Sequence, residues 1–144
     1  MLDNIRRRSG EESGFTLVEL LVVMLILGIL AAIAVPSFFN QRDKAKDADA
    51  KVGARTAQTA IETYATDNGG SYAGATVLDL TTIEATLNDY TLTVASAPDT
   101  YTVTAASSNT PNTFSIERAA AGTTTQTCTV DGSDGCPTGG NWGG

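Results

Sequence analysis

A nearly continuous apolar run over residues 15–39 constrains this chain more than any other feature of its sequence. As an α-helix rising about 1.5 Å per residue, the run would reach roughly 37 Å, which crosses a bilayer with some tilt. Arg6, Arg7 and Arg8 precede it. Because cytoplasmic flanks of membrane spans are rich in Lys and Arg, we expect one span with its N-terminus in the cytoplasm.

One carboxylate, Glu19, lies inside the apolar run. A charge at the centre of a bilayer costs roughly 3 kcal/mol or more, so this side chain needs a partner. A secretory signal peptide also begins with basic and apolar regions, but its apolar region is usually about 7 to 15 residues long. Here the run is longer, and Ala31, Ala32 and Ala34 lead directly to Pro36 with no clean Ala-x-Ala cleavage site. A plain membrane anchor that is never processed is a further alternative.

The segment Gly14-Phe15-Thr16-Leu17-Val18-Glu19-Leu20, followed by an apolar helix, resembles the N-terminal signature of bacterial type IV pilins and pseudopilins. The short leader, residues 1–14, is similar to the type IVa form. The resemblance implies that an aspartic prepilin peptidase cuts the chain between Gly14 and Phe15 on the cytoplasmic side. It further implies that the new N-terminal Phe15 is N-methylated, and that Glu19 matches the family's glutamate.

Cleavage at this bond would create an α-amine that is mostly cationic at neutral pH, close to the start of an apolar helix. Phe15 and Glu19 are i and i+4 neighbours on that helix. When identical helices pack side by side, the carboxylate of one can meet the amine of the next. A charge pair in a dry environment rejects any register that leaves one member alone. The resulting hypothesis is that Glu19 sets the axial stagger of incoming subunits; the alternative is a tolerated lone acid near the membrane surface.

Gly28 and Pro36 bear on the mechanics of this helix. A proline inside a helix removes a backbone donor and clashes with the preceding turn, while glycine lowers helix propensity by about 1 kcal/mol. The resemblance also matches Pro36 to a helix-bending proline of the family. We therefore expect a bend near Pro36 and a weakened helix at Gly28.

Beyond residue 39 the chain becomes polar but keeps a helical period. Apolar residues recur at steps of three and four, at Ala50, Ala54, Ala57, Ile61 and Tyr64 or Ala65. Charged residues lie between them, and the acid-before-base spacing of Asp47 and Lys51 indicates a solvated face. Asn68-Gly69-Gly70 is typical of a helix end. One helix is therefore predicted over about residues 16–67.

The remaining sequence alternates apolar and polar residues in short segments, which predicts strands. The apolar positions are Tyr90, Leu92 and Val94 in the first strand, Tyr101, Val103 and Ala105 in the second, and Phe114 and Ile116 in the third. A fourth strand is expected over residues 123–130. Thr81 and Glu84 have capping-box spacing and predict a short helix ending at Leu87. The predicted fold is α+β: a leader (1–14), an assembly helix (15–39), its exterior continuation (40–68), and a connecting loop with an antiparallel meander and a C-terminal loop (69–144).

Two cysteines, Cys128 and Cys136, lie near the C-terminus. Export to an oxidising exterior favours a disulfide between them, and a C-terminal disulfide loop is also implied by the family resemblance. Two cysteines without histidine do not complete a zinc site, which needs about four ligands. Asp131, Ser133 and Asp134 resemble the calcium loop of some pseudopilins only loosely, so we read them as a turn and predict no metal site.

Signals of enzymatic chemistry are absent: the chain has no histidine, phosphate-binding glycine loop or nucleophile motif. The formal charge of −7 disfavours direct nucleic-acid binding, and no cofactor is expected. The resemblance implies a non-enzymatic type IV pilus subunit that passes once through the cytoplasmic membrane and then enters an extracellular homo-oligomeric filament for adhesion, motility or DNA uptake. Its implied partners are membrane lipid, the prepilin peptidase/N-methyltransferase and the inner-membrane assembly machinery. Alternatives are a type II secretion pseudopilin and an anchored domain that never polymerises.

Overall fold

The computed structural model describes residues 14–143. In chain order these form the long helix α1 (Leu17–Asp67), a short helix α2 (Val77–Ile83), a 3₁₀ helix (Ala85–Asp89) and the strands β1 (Thr91–Ser96), β2 (Tyr101–Ala106), β3 (Thr113–Arg118) and β4 (Thr124–Cys128). The described residues divide into two units, 14–37 and 38–143. The architecture is the predicted α+β combination of a long N-terminal helix and an antiparallel sheet.

Helix α1 begins and ends within one residue of its predicted bounds. It ends because Gly69 and Gly70 adopt positive φ angles of 67° and 89°, and the Gly70 N–H donates to Ala65 O at 2.7 Å. The helix continues through Pro36. The bend expected at that residue stays a prediction.

The predicted apolar stripe of α1 is buried, and its members are Ala50, Ala54, Ala57, Ile61 and Ala65. Four of the five are alanines, so this face of the helix carries mostly small side chains. Gly53 lies in the same buried face, where an added Cβ would meet the ring of Tyr90. Small residues in α1 thus make room for aromatic residues from the other side of the core.

The four strands form an antiparallel meander in the order β1-β2-β3-β4, as predicted. Val103 of β2 lies opposite Val94 of β1 and Ile116 of β3, so alternate residues share one core face. Tyr101, Ala105 and Phe114 are also buried on this face. Trp142 closes the core edge-to-face on Phe114, with ring centroids 5.9 Å apart.

The predicted short helix starting at Thr81 is wrong in its position. Helix α2 begins earlier, because Thr76 and Asp79 form a reciprocal capping box that fixes the helix start at Val77. Thr81 lies inside α2, where its hydroxyl donates to Leu78 O at 3.0 Å. Glu84 instead caps the 3₁₀ helix by accepting from Thr86 N–H at 3.3 Å.

The solvated face predicted around Asp47 and Lys51 is also wrong at Asp47, which is completely buried. Its carboxylate accepts hydrogen bonds from Thr110 Oγ1, Asn112 Nδ2 and the Gly135 N–H at 2.5, 2.6 and 2.9 Å. Lys51 Nζ donates to Gly135 O at 2.6 Å. No Asp47–Lys51 ion pair occurs within residues 14–143. The acid-before-base spacing of Asp47 and Lys51 therefore does not correspond to an ion pair on the protein surface.

Glu62 forms a second polar cluster on α1. It accepts hydrogen bonds from the hydroxyls of Tyr72 and Tyr101 at 2.7 and 2.9 Å, and Arg118 NH1 lies 3.5 Å from its Oε1. Burial, reinforced by the bond to Glu62, raises the pKa of the Tyr101 hydroxyl above its ordinary value. Tyr101 therefore stays neutral and donates to Glu62, which ties β2 to α1.

Cys128 and Cys136 form a disulfide, with Cα atoms 5.8 Å apart. The bond joins the end of β4 to the C-terminal loop. Gly140 O accepts from the Cys128 N–H at 2.8 Å, and Trp142 N–H donates to Gln126 O at 3.2 Å. The C-terminal segment thus covers the free edge of β4, which reduces the risk of edge-to-edge association.

Candidate assembly site at the start of the long helix

Thr16 and Glu19 form a reciprocal capping box at the start of α1. The Thr16 N–H and hydroxyl donate to Glu19 Oε2 at 3.0 and 3.1 Å, and the Glu19 N–H donates to Thr16 Oγ1 at 3.2 Å. Such a box satisfies backbone donors that the first turn of a helix leaves unpaired. It also places the carboxylate at the positive end of the helix dipole. The Glu19 carboxylate therefore lies beside the backbone N–H that directly follows Phe15.

Sequence reasoning paired Glu19 with the future amine of Phe15 and missed Thr16 as its present partner. The signal was available, because Thr16-Leu17-Val18-Glu19 has the Thr-x-x-Glu spacing of a capping box directly before an apolar helix. The same Thr-x-x-Glu spacing at Thr81 and Glu84 predicted a helix start that the structure does not have.

The apolar side chains beyond this box are left uncovered by residues 14–143. Every residue from 14 to 42 is exposed, and Leu17, Met24 and Ile33 retain 77%, 73% and 71% of their accessible surface. Apolar residues surround the helix on all sides, which is typical of a segment covered by lipid or by other helices. Among the described residues, α1 is the one helix long and apolar enough to cross a membrane, and it fits a single-pass anchor.

The structure brings three of the sequence-predicted site residues together, since Gly14, Phe15 and Glu19 lie within the first turn and its approach. Gly14 precedes the helix in irregular, exposed backbone. Gly28 lies farther along the same helix, where an added Cβ would contact nothing within 4 Å, and Pro36 lies beyond it inside the helix. Residues 1–13 of the predicted leader, with their three arginines, lie outside the described residues.

The turn that contains Asp131 and Asp134 makes internal hydrogen bonds. Asp131 Oδ1 accepts from the Gly139 N–H at 2.5 Å, and Asp134 Oδ2 accepts from Ser133 Oγ at 2.9 Å. Within residues 14–143 no three His, Cys, Asp or Glu side chains are grouped so that they could hold a metal ion. The two aspartates thus contribute to the shape of the turn.

Comparison with known proteins identifies the family. A family model described as the prokaryotic N-terminal methylation motif matches residues 11–35, which include the capping box and the candidate cleavage bond. The type IV narrow pilus major component PilA5 of Thermus thermophilus is 34% identical over 104 residues, covering 62% of this chain and 84% of that protein. The chain belongs to the type IV pilin and pseudopilin family. Proteins of this family are structural filament subunits, not enzymes, and carry a prepilin motif that is processed by a peptidase.

Two further relatives match shorter stretches. The type II secretion system core protein G of Pseudomonas aeruginosa is 45% identical over 58 residues, which cover 40% of this chain and 41% of that protein. The type IV major pilin protein PilA of Myxococcus xanthus is 38% identical over 60 residues, covering 42% of this chain and 27% of that protein. The matches thus span less than half the length of these two relatives. No solved structure matches the chain significantly.

Proposed function

We propose that this pilin-family chain is a structural subunit of a type IV pilus, polymerised through the apolar half of α1 into an extracellular filament for adhesion, motility or DNA uptake. The observation that carries the proposal is the combination at the helix start. An apolar helix surface is exposed on all sides, and its single acid, Glu19, is held at the end where cleavage would create an amine. Such a surface needs lipid before assembly and identical helices after it.

The proposed maturation follows from the order of residues along the chain. Arg6, Arg7 and Arg8 keep the N-terminus in the cytoplasm, and the unit that begins at Phe38 reaches the outside. Prepilin peptidase cuts the exposed bond between Gly14 and Phe15, and N-methylation of Phe15 follows. The inner-membrane assembly machinery then draws the subunit from the lipid into the filament.

Glu19 is the proposed register residue of assembly. In the single chain its carboxylate is engaged by Thr16, with contacts of 3.0 and 3.1 Å to one oxygen, Oε2. A carboxylate has lone pairs on both oxygens, so the Thr16 contacts leave it able to accept a charge-assisted bond from an amine. An incoming helix whose amine reaches this acid is favoured, whereas a shifted helix leaves a charge unpaired in an apolar surrounding.

The second candidate function is a pseudopilin of a type II secretion system. It is supported by the 45% identity to the core protein G of Pseudomonas aeruginosa, which is confined to 40% of this chain. The match to PilA5 extends over 62% of the chain and 84% of that pilus protein, and for this reason we place the pilus first.

Electron microscopy of material sheared from cells, with mass spectrometry of its N-terminus, tests the proposal. We expect long surface fibres whose subunit begins with N-methylated Phe15. Glu19→Ala should leave membrane insertion and cleavage intact and abolish the fibres. Glu117→Ala, which removes an exposed acid from β3, is the matched control and should leave fibres unchanged. A mature chain that still begins at Met1, or normal fibres in the Glu19 variant, would refute the proposal; fibres seen only as short stubs that depend on a secretion system would favour the pseudopilin.

A further inference from the structure

Asp47 is the first fully buried residue of α1 and the point at which two loops meet the helix. A buried ionised carboxylate is costly unless it is well hydrogen-bonded. Thr110 and Asn112 supply two bonds from the turn between β2 and β3, and the Gly135 N–H supplies the third from the disulfide loop. All three donors are more than 60 residues away in sequence. Such a set of donors, gathered from distant segments, indicates a dedicated docking point.

The contact with the disulfide loop is close and double-sided. Lys51, one turn after Asp47, donates to Gly135 O at 2.6 Å while Gly135 N–H donates to Asp47 at 2.9 Å. A side chain at position 135 would collide with Asp47, since a Cβ added to Gly135 would overlap the Asp47 Cβ. Asn112 Nδ2 also donates to Ser133 O at 3.2 Å. Helix α1 therefore binds both the N–H and the C=O of Gly135, through Asp47 and Lys51.

These hydrogen bonds to Gly135 lie directly beside one of the two disulfide cysteines. Cys136 follows Gly135 in the chain, and Cys128 is fixed at the end of β4 by its ladder and by Gly140. Holding Gly135 on the helix therefore holds Cys136 near Cys128, whether or not the two sulfurs are bonded. The same nine-residue loop is thus fastened at two points by two different kinds of chemistry.

We propose that Asp47 and the Cys128–Cys136 disulfide are two redundant locks on the C-terminal loop, and that the carboxylate keeps the loop docked after reduction so that the bond re-forms readily. Reduction by a dithiol breaks the S–S bond, leaves two thiols on the protein and converts the reagent to its cyclic disulfide. Release of the loop then requires the loss of both locks. The inference stands whether the filament is a pilus or a pseudopilus.

The redox equilibrium of the full-length mature chain in detergent micelles measures this coupling. The protein is equilibrated with mixtures of reduced and oxidised dithiothreitol, quenched in acid, and its dithiol fraction is counted by mass after alkylation. In Asp47→Asn an amide NH₂ replaces one acceptor oxygen and faces donors, so the reduced loop undocks. We expect the equilibrium constant for disulfide formation to fall about tenfold, equivalent to about 1.4 kcal/mol, as for loss of one hydrogen bond to a charged group.

Asp43→Asn is the matched control. Asp43 lies one turn earlier on α1 and accepts a 2.6 Å bond from Asn109, in the turn between β2 and β3. It should change the equilibrium constant by less than about twofold, since its bond does not reach the disulfide loop. Equal constants for the wild type and Asp47→Asn would overturn the proposal, as would an equal fall in both variants. If Asp47→Asn does not fold, Thr110→Val keeps the charge, removes one donor and should give a smaller fall of about threefold.

Amide hydrogen exchange supplies the second test. In Cys128→Ser/Cys136→Ser, with Asp47 intact, the segment 132–136 should stay protected, and adding Asp47→Asn should accelerate its exchange at least about tenfold. Exchange in β2 and β3 serves as the internal check that the sheet remains folded. Rapid exchange of the segment in the cysteine variant alone would show that the disulfide is the sole lock and would overturn the proposal.

Discussion

Gly53→Ala should destabilise the protein, although alanine is the better helix former. In the interior of α1 the substitution gains about 1 kcal/mol of helix propensity. The new Cβ, however, would lie 2.5, 2.8 and 2.9 Å from Cδ1, Cγ and Cε1 of Tyr90. Overpacking of this kind costs about 1 to 3 kcal/mol. We expect a net loss of about 1 kcal/mol in the free energy of unfolding, measured by urea titration of the mature chain in micelles.

A double-mutant cycle isolates the cause. In a Tyr90→Ala background the ring is gone, so Gly53→Ala should stabilise the protein by about 1 kcal/mol, giving a coupling energy of about 2 kcal/mol between the two positions. Gly28→Ala is a contrasting variant: nothing lies within 4 Å of its added Cβ, so the gain in helix propensity should not be offset by a clash. Stabilisation of the wild type by Gly53→Ala would refute a clash with the Tyr90 ring. That result would mean that the half-exposed ring of Tyr90 moves aside freely.

Two further predictions concern the capping box and the buried acid. Thr16→Val removes the hydroxyl that caps the Glu19 N–H, which costs about 1 kcal/mol of helix stability. The filament yield in sheared fractions should therefore fall about fivefold, whereas Thr16→Ser should stay near the wild-type yield. Equal yields for Thr16→Val and the wild type would contradict the role of the cap. Burial raises the pKa of Asp47, but hydrogen bonds from Thr110, Asn112 and Gly135 N–H outweigh it and lower the pKa below its ordinary value. The stability that this group contributes is therefore present above about pH 4 and lost as pH falls further, so acid should destabilise the wild type more than Asp47→Asn in urea titrations at pH 6 and pH 3.

The regular elements of this fold were predictable because their signals are local. The stripe from Ala50 to Ala65 gave the buried face of α1, and Gly69 with Gly70 gave its end. Alternation of apolar residues gave the first three strands and, with short turns between them, the meander. The fourth strand, expected over residues 123–130 without such a pattern, is Thr124–Cys128. Each pattern reflects one buried face of one element, so it can be recognised in the sequence even when the element that packs against that face is unknown.

Asp47 and α2 escaped prediction for different physical reasons. An acid four residues before a lysine on a helix is ordinarily solvated, and the donors that make burial of Asp47 possible come from turns more than 60 residues away. For α2, two capping signals compete five residues apart, and the one at Thr76 prevails because Asp79 completes it reciprocally. The first failure is one of tertiary structure, whereas the second is a choice between two valid local signals.

The apolar segment of α1 was recognisable for the opposite reason, since none of the described residues covers it. A helix that packs on its own sheet shows one apolar face, as α1 does between Ala50 and Ala65. The stretch around Leu17 and Ile33 is apolar on every side and stays exposed. Water penalises exposure of this apolar surface in proportion to its area. In the assembly that we propose, lipid or identical helices cover this surface, and Glu19 favours the register that leaves no buried, unpaired charge.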